Sequence, residues 1–213
     1  LVVSNMDVYF TYRKLLPHVP APEKILRQEK STSALVFYWG VARTFDMLGV
    51  HNILFSKSYA TEFNALEAGQ IDTDPTVYIH CTSKVLPGDA PEGMENWFVM
   101  INVPRHSGQN WEEVAAGCRA NILQKINRML GENIEPSIVA ERILTPQSIE
   151  SLTSSFGGAL YGNTSNSMFA AFLRHSNFSS AIRNLYFVGG SVHPGGGMPL
   201  VLNSARIVSD LIK

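Results

Sequence analysis

The residues best suited to chemistry form a glycine-rich segment, 189–197, near the end of the 213-residue chain. Five of its nine residues are glycine; it follows the apolar run Leu185–Val188, and a helical pattern covers Leu200–Lys213. Glycine permits positive φ angles and close approach of a ligand to the backbone. A helix start offers unpaired N–H groups and partial positive charge, where Pro199 suits the first helical position and Met198 would present its backbone N–H. The pattern predicts a strand–loop–helix that binds an anionic ligand, with a plain tight turn as the alternative.

Other site patterns do not fit this segment. Leu200 stands where a G-x-G-x-x-G fingerprint starting at Gly195 needs its third glycine, and no Lys-Ser/Thr pair follows the glycines as in a P-loop. Ser191 and His193 are two residues apart on one loop, which is a poor arrangement for a nucleophile and its base. The six histidines form no His-x-x-x-His or similar pair. We therefore predict no metal site and assign no catalytic residue.

The composition is that of a globular protein with little surface charge. Hydrophobic residues make up 45% and charged residues 16% of the chain, and the formal net charge of −1 gives no field that favours nucleic acid. Cys81 and Cys118 match no metal or C-x-x-C spacing, so we expect reduced, structural thiols and a cytoplasmic location. No apolar stretch approaches the roughly 20 residues of a spanning helix. Because the chain opens on the apolar run Leu1–Val3 without a methionine, we expect it to be a piece of a longer protein.

Hydrophobic periodicity predicts an α+β fold. Apolar residues recur at helical spacing from Asn110 to Leu130, and Gly131 is expected to end that helix. Because strands precede and follow this helix, we predict a mixed sheet with helices on one face. Strands are predicted at Leu1–Val3, Ala34–Val41, Asn52–Phe55, Thr76–Cys81, Trp97–Val103, Ser137–Leu144 and Leu185–Val188.

Further helices are predicted at Asp7–Leu16, at Ser58–Ala68 and from Gln147. The prolines between residues 17 and 22 predict a stiff, extended connector. In the last helix the apolar stripe is expected to consist of Val201, Ala205, Val208 and Ile212.

The segment 185–199, LYFVGGSVHPGGGMP, strongly resembles the C-terminal signature of bacterial phytoene-type carotenoid desaturases, which belong to the flavin amine-oxidase-like superfamily. Other stretches are similar to the same family, so the resemblance spans nearly the whole chain. These stretches are VVSNMD at 2–7, FYWG at 37–40, NWFVMINVP at 96–104, ALYG at 159–162 and FLR at 172–174.

The resemblance implies that segment 189–199 contacts FAD. Residues 189–191 would lie along the ribityl-diphosphate chain. Residues 197–199 would face the isoalloxazine ring, where the helix dipole stabilises negative charge on the reduced flavin. Residues 193–195 would shape the loop near the ring, with His193 a packing or hydrogen-bonding residue rather than an acid or base. The predicted cofactor-binding residues are Gly189, Gly190, Ser191, His193, Pro194, Gly195, Gly197, Met198 and Pro199.

The family also carries an N-terminal G-x-G-x-x-G element for the ADP half of FAD, which this sequence lacks. We therefore expect the chain alone to be inactive. The resemblance implies a stub of the FAD-binding domain at 1–23, a substrate-binding domain at 24–180, and a C-terminal FAD-binding segment at 181–213. The last would be the strand–loop–helix of a Rossmann-like domain.

In this family the sheet of the substrate domain forms the roof of a long apolar tunnel. The full-length enzyme would desaturate a carotenoid precursor by hydride transfer to flavin, and orientation of the lipophilic polyene would matter more than a strong base. Because the substrate class is lipophilic, we expect peripheral membrane contact. We also expect the fragment to form oligomers, because it would expose apolar surface. The candidate lining residues, each alternatively a plain core position, are Phe37, Tyr38, Trp39, Phe98 and Met100.

Two alternatives remain from the sequence. One is another flavin oxidoreductase, either an amine oxidase or a carotenoid-modifying relative. The other is a non-catalytic α+β module that binds lipid or a protein partner.

Overall fold

The β-branched run near the start of the chain forms strand β1 (Val2–Ser4), which pairs in parallel with β7 (Leu185–Phe187). The architecture is taken from a computed structural model that describes residues 1–164 and 173–213. The chain divides into two units: Leu1–Ser33 with Gln147–Lys213, and Ala34–Pro146. These bounds differ from the domain bounds implied by the resemblance, and the roles of those domains stay a prediction.

The first unit contains short helices near the start of the chain. Helix α1 (Val8–Phe10) continues as a π-helix over Thr11–Leu15. It begins after Asp7, whose carboxylate accepts a hydrogen bond from the Tyr9 backbone N–H at 2.9 Å. Helix α2 (Glu23–Leu26) follows the predicted connector at residues 17–22 and was not itself predicted, and Pro22 is the residue that precedes its first turn.

The second unit is built on a five-stranded sheet in the order β3-β4-β5-β2-β6. The pairs β2–β6, β3–β4 and β4–β5 are antiparallel. All predicted strands occur, with ends within two residues of the predicted ones. The strands are β2 (Ser33–Val41), β3 (His51–Leu54), β4 (Val77–His80), β5 (Glu95–Val103) and β6 (Ile138–Leu144).

One face of this sheet is buried by helix α4 (Trp111–Leu130). The Asn110 side chain caps its start, and Gly131 ends it in the left-handed conformation with a φ of 74°, as predicted. Helix α3 (Tyr59–Glu67) is capped by Ser58. The core between α4 and the sheet includes Leu35, Phe37, Trp39, Val77, Ile79, Trp97, Val99, Ile101, Trp111, Cys118, Ile122 and Ile126.

Two further helices complete the described fold, α5 (Pro146–Thr153) and α6 (Met198–Ile212). The predicted stripe of α6 was wrong in part, because Ala205 is exposed and Ile212 is 40% exposed, whereas Ser204 is fully buried beside Val208. Ser204 is buried because its hydroxyl has hydrogen-bond partners, described below. Short 3₁₀ turns lie at Thr82–Lys84, Pro87–Asp89, Glu135–Ser137 and Phe156–Gly158.

In the described ranges, no helix combines the length and the apolar character needed to cross a bilayer. Cys81 and Cys118 are free and buried. Burial raises the pKa of the Cys81 thiol to about 12 and that of Cys118 to about 11. Both thiols are therefore protonated at neutral pH, which makes them poor nucleophiles.

Candidate functional site

The glycine-rich segment connects β7 to α6, and we call residues 188–197 the glycine loop. Three of its glycines, Gly189, Gly195 and Gly197, have positive φ angles of 119°, 133° and 99°. A Cβ atom at Gly197 would meet nothing within 4 Å. Position 197 therefore needs glycine for its backbone conformation, and space lies open in front of it.

Other glycines of the loop are required by close packing within the chain. A Cβ atom at Gly196 would lie 2.5 Å from the Cα of Tyr161, and one at Gly190 would lie 3.3 Å from the Cα of Gly196. From the other side, a Cβ atom at Gly162 would lie 2.7 Å from the Gly190 carbonyl oxygen. The high glycine content therefore has a packing cause as well as the ligand-binding cause inferred from the sequence.

The Ser191 side chain points into the protein. It is 7% exposed, and its Oγ accepts a hydrogen bond from the Val8 backbone N–H at 3.0 Å. It thus satisfies one of the N–H groups at the start of α1 that has no partner within the helix. The cofactor contact at Ser191 stays a prediction, and such a contact would be made mainly by the Ser191 backbone.

A buried pair of polar residues, Asn177 and Ser204, holds the ends of the glycine loop. Asn177 Nδ2 lies 3.1 Å from the Phe187 carbonyl oxygen, 2.8 Å from that of His193 and 2.9 Å from Ser204 Oγ. Ser204 Oγ also accepts a hydrogen bond from the Gly189 N–H at 3.2 Å. Sequence reasoning missed both residues. The signal for Ser204 was its place between Val201 and Val208 on one helix face, whereas Asn177 gave no local signal.

Arg174 lies behind the loop, and its guanidinium donates hydrogen bonds to three backbone carbonyl groups. The distances are 2.9 Å to Asn163 and 3.4 Å each to Tyr161 and Gly190. Burial lowers the pKa of Arg174, but a guanidinium stays protonated in a protein. A Cβ atom at Gly195 would lie 3.0 Å from its Cζ. Arg174 therefore fixes the loop from the inside. Phe172, which starts the similar FLR stretch, lies outside the described residues.

His175 and His193 have opposite environments. The His175 ring is 5% exposed, its Nδ1 lies 2.7 Å from the Ser176 carbonyl oxygen, and its Nε2 lies 3.2 Å from the Tyr12 hydroxyl. Burial lowers its pKa, so the ring is neutral at pH 7. His193 is exposed and is held through its backbone N–H, which donates to the His175 carbonyl oxygen at 2.9 Å. The His193–Pro194 peptide bond is cis.

The start of α6 has the features that an anionic ligand requires. Gly197 precedes the first helical residue and supplies no capping side chain. The first backbone hydrogen bond of the helix runs from Val201 N–H to the Gly197 carbonyl oxygen at 2.9 Å, which leaves the Met198 and Leu200 N–H groups without a helical partner. Met198 is 82% exposed. The helix begins at Met198, so Pro199 occupies its second position, one residue later than predicted.

The predicted lining residues of the second unit lie on opposite faces of its sheet. Phe37 and Trp39 are 0% and 1% exposed and belong to the core under α4. Tyr38 is 42% exposed on the other face, where its ring meets that of Phe98 edge-on at 5.5 Å between centroids. Met100 is half-buried on that face. The alternative of a plain core position thus applies to Phe37 and Trp39.

Among the described residues, no group of three or more His, Cys, Asp or Glu side chains is arranged to hold a metal ion. The residues at the α6 start fit the anionic and aromatic parts of a flavin. They combine an uncapped helix start, a glycine with open space in front of it, and an exposed methionine.

Comparison with known proteins points to one group of enzymes. The chain is 58% identical over 213 residues to a 1-hydroxycarotenoid 3,4-desaturase from Flavobacterium sp. (strain P99-3) and 36% identical over 217 residues to a 4,4'-diapolycopene oxygenase from Methylomonas sp.. A phytoene desaturase from Fusarium fujikuroi is 27% identical over 234 residues. Each alignment covers 100% of this chain and 44%, 44% and 41% of the relative, respectively.

A solved structure of an oxidoreductase from Methanosarcina mazei matches the fold with a TM-score of 0.54 at 11% identity, covering 100% of this chain and 43% of that one. No protein-family model matches the chain. The resemblance inferred from the glycine loop is confirmed by these relatives. The chain is thus homologous over its whole length to carotenoid desaturases and spans less than half of their length.

Proposed function

We propose that this chain is part of an FAD-dependent oxidoreductase that desaturates a carotenoid. The observation that carries the proposal is the uncapped start of α6, where Gly197 leaves open space and Met198 is exposed. The 58% identity to a 1-hydroxycarotenoid 3,4-desaturase supports a hydroxylated carotenoid as the substrate. When bound, FAD would supply the acceptor for the hydride removed in desaturation.

In this proposal the glycine loop holds the flavin mainly through its backbone. Gly189 and Gly190 would lie along the ribityl-diphosphate chain with the Ser191 backbone. The N–H groups of Met198 and Leu200 would face the electron-rich edge of the ring system, where the partial positive charge of the α6 start favours negative charge. His193, Pro194 and Gly195 would shape the loop beside the ring, and Pro199 would fix the direction in which the helix starts.

The polyene would lie along the exposed face of the five-stranded sheet. Tyr38, Phe98 and Met100 give that face an apolar, partly aromatic surface. Since the reacting carbons of a polyene carry no polar group, their position depends on contacts along the hydrocarbon. No residue of this chain is assigned as acid or base.

The functional domains at 1–23, 24–180 and 181–213 belong to this proposal, as do a cytoplasmic location and peripheral membrane contact through the lipophilic substrate. Flotation with liposomes tests the last point, and full-length protein that stays in the soluble fraction would contradict it. Inactivity of the isolated chain and its association into oligomers are further predictions from the fragment hypothesis.

A second candidate is a carotenoid oxygenase, because a 4,4'-diapolycopene oxygenase is 36% identical over the whole chain. The two reactions change product mass in opposite directions. Desaturation removes two hydrogen atoms per added double bond, whereas oxygenation adds oxygen.

The test is to express the full-length protein from its intact gene, record its absorption spectrum, and incubate it with hydroxylated carotenoid. Flavin absorption bands and a product lighter by two hydrogen atoms are expected. A heavier, oxygenated product would favour the second candidate. Full-length protein that binds no flavin would contradict the cofactor and favour a non-catalytic lipid- or partner-binding module.

A further inference from the structure

The strands β3 and β4 carry a polar cluster, His51, Tyr78 and His80, which we call the β3–β4 cluster. His51 lies opposite His80 in the strand register, and their rings stack at 4.6 Å between centroids. His51 Nδ1 lies 2.8 Å from the Tyr78 hydroxyl. Three aromatic rings with hydrogen-bonding atoms are thus held together by backbone register and by stacking.

The β3–β4 cluster lies on the same sheet face as the proposed polyene surface. His80 is opposite Phe98, and Tyr78 is opposite Met100, in the β4–β5 register. Directly paired residues point to the same face of a sheet. The Tyr78 and Phe98 rings lie 6.2 Å apart. The alternate residues of β4 and β5 face α4 in the core. The cluster therefore places polar groups on this sheet face directly beside the apolar side chains of Phe98 and Met100.

The atoms of the cluster suit a neutral ligand that both donates and accepts hydrogen bonds. When the Tyr78 hydroxyl donates to His51 Nδ1, the phenolic oxygen can still accept, and the protonated Nε2 of His51 can donate. The ring nitrogens of His80 make no hydrogen bond with another described residue. β3 and β4, with sequences HNIL and VYIH, contain no Lys, Arg, Asp or Glu. The ligand chemistry that matches is an alcohol.

We propose that the β3–β4 cluster binds the hydroxyl group of a hydroxylated polyene whose hydrocarbon lies along Phe98 and Met100. This inference rests on the proposed function and adds the residues that set its substrate preference. Sites that hydrogen-bond a substrate hydroxyl discriminate against the analogue that lacks it, because their own polar groups are then left unpaired. Tyr78 and His80 are half-buried, so this loss would only partly be offset by water.

The test compares a hydroxylated polyene with the same polyene lacking the hydroxyl, using the full-length, flavin-loaded protein. The measured quantity is kcat/KM for the hydroxylated polyene divided by kcat/KM for the polyene lacking the hydroxyl. Tyr78→Phe and His80→Phe keep an aromatic ring and are each expected to lower this ratio about tenfold, the effect of losing one to two hydrogen bonds. The matched control is Tyr59→Phe, because Tyr59 is exposed on α3 and its ring packs on Phe63 rather than on a member of the β3–β4 cluster.

A second readout separates failure of this inference from failure of the proposed function. Quenching of tryptophan fluorescence by each polyene gives its affinity without turnover. If the wild-type protein turns over both polyenes and the ratio is unchanged in both Tyr78→Phe and His80→Phe, the role of the cluster is overturned while the proposed function stands. A wild-type protein that binds neither polyene would overturn both proposals.

Discussion

Gly197 is the residue on which the flavin proposal depends most. Its φ of 99° is unfavourable for any residue with a Cβ atom, and its Cβ direction points into open space. Gly162, by contrast, is excluded from substitution by the Gly190 backbone. The sequence identified the loop glycines as a set, but it could not distinguish a glycine that leaves space for a ligand from one that is required by close packing within the chain. The contact of Gly162 with residues 190–191 joins positions far apart in the chain.

We expect Gly197→Ala to lower the flavin content of the purified full-length protein by at least tenfold, because the methyl group both strains the backbone and enters the proposed ligand space. The matched control is Gly108→Ala, since Gly108 has a φ of 107°, is exposed, and also has nothing within 4 Å of its Cβ direction. Both variants carry a similar strain of roughly 1–2 kcal/mol. Absorbance at the flavin bands per protein measures the difference, and equal flavin loss in the two variants would contradict a specific role.

His175 gives the first unit a dependence of its stability on pH. Burial lowers the pKa of its ring in the folded state, so the unfolded chain takes up the proton more readily. Above the unfolded value of about 6.5 the ring is neutral in both states and contributes nothing. As the pH falls below about 6.5 the folded state loses stability, by no more than about 1.4 kcal/mol per pH unit.

We expect His175→Gln to reduce this loss between pH 7.5 and pH 5.5, although the variant is less stable than wild type at pH 7.5 through lost packing on Phe187. Urea unfolding of the full-length protein at both pH values measures the change. His18→Gln, at an exposed position, is the control. Identical pH slopes for wild type and His175→Gln would show that the ring is protonated equally in both states.

At the scale of elements, strand β2 shows what a sequence pattern can and cannot predict. The apolar run from Ala34 to Val41 predicted a buried strand, and the structure has one at Ser33–Val41. The run did not reveal that Trp39 faces α4 while Tyr38 lies on the opposite face, because nearly every residue in it is apolar or aromatic. β5 alternates strictly between buried and half-buried residues, and its predicted candidates, Phe98 and Met100, lie on one face.

This difference between neighbours on β2 predicts unequal costs of substitution. Trp39 is 1% exposed, and its Nε1 donates a hydrogen bond to Glu141 Oε2, so Trp39→Ala should lower the free energy of unfolding by about 3–5 kcal/mol. Tyr38→Ala should lower it by about 1 kcal/mol or less. Urea unfolding followed by circular dichroism measures both. Similar losses from the two substitutions would mean that the faces of β2 are assigned wrongly.

Helix α6 likewise shows that a sequence pattern does not predict which polar residue is buried. The helical pattern placed α6 correctly, but it chose Ala205 for the buried stripe where the structure buries Ser204. Ser204 is favoured there by its hydrogen bonds to Gly189 and Asn177. Such a choice depends on partners elsewhere in the chain, and hydrophobic periodicity contains no information about them.

At the scale of the whole molecule, the chain spans about 44% of the hydroxycarotenoid desaturase that it matches. β1 belongs to a sheet of two strands, and its residues Val2 and Val3, with the preceding Leu1, are between 43% and 68% exposed. Exposed apolar surface of this kind agrees with an element that packs against further protein. The α+β class was predictable from hydrophobic periodicity, and the family was predictable because the glycine loop is a contiguous signature. The unit bounds were not, because the place of residues 24–33 and 147–180 in the first unit depends on contacts between distant positions, such as the hydrogen bond from the Ser31 N–H to the Gly162 carbonyl oxygen.

The central claim is that the glycine loop and the start of α6 contact a flavin in the full-length protein. Hydrogen–deuterium exchange of the apo and FAD-loaded forms tests this contact, because the N–H groups of Met198 and Leu200 are proposed to face the flavin ring and the backbone of residues 189–191 to lie along its ribityl-diphosphate chain. FAD is expected to slow exchange in peptides covering residues 189–200, whereas exchange at α4 in the second unit is expected to stay unchanged. Full flavin occupancy without any protection of residues 189–200 would contradict it.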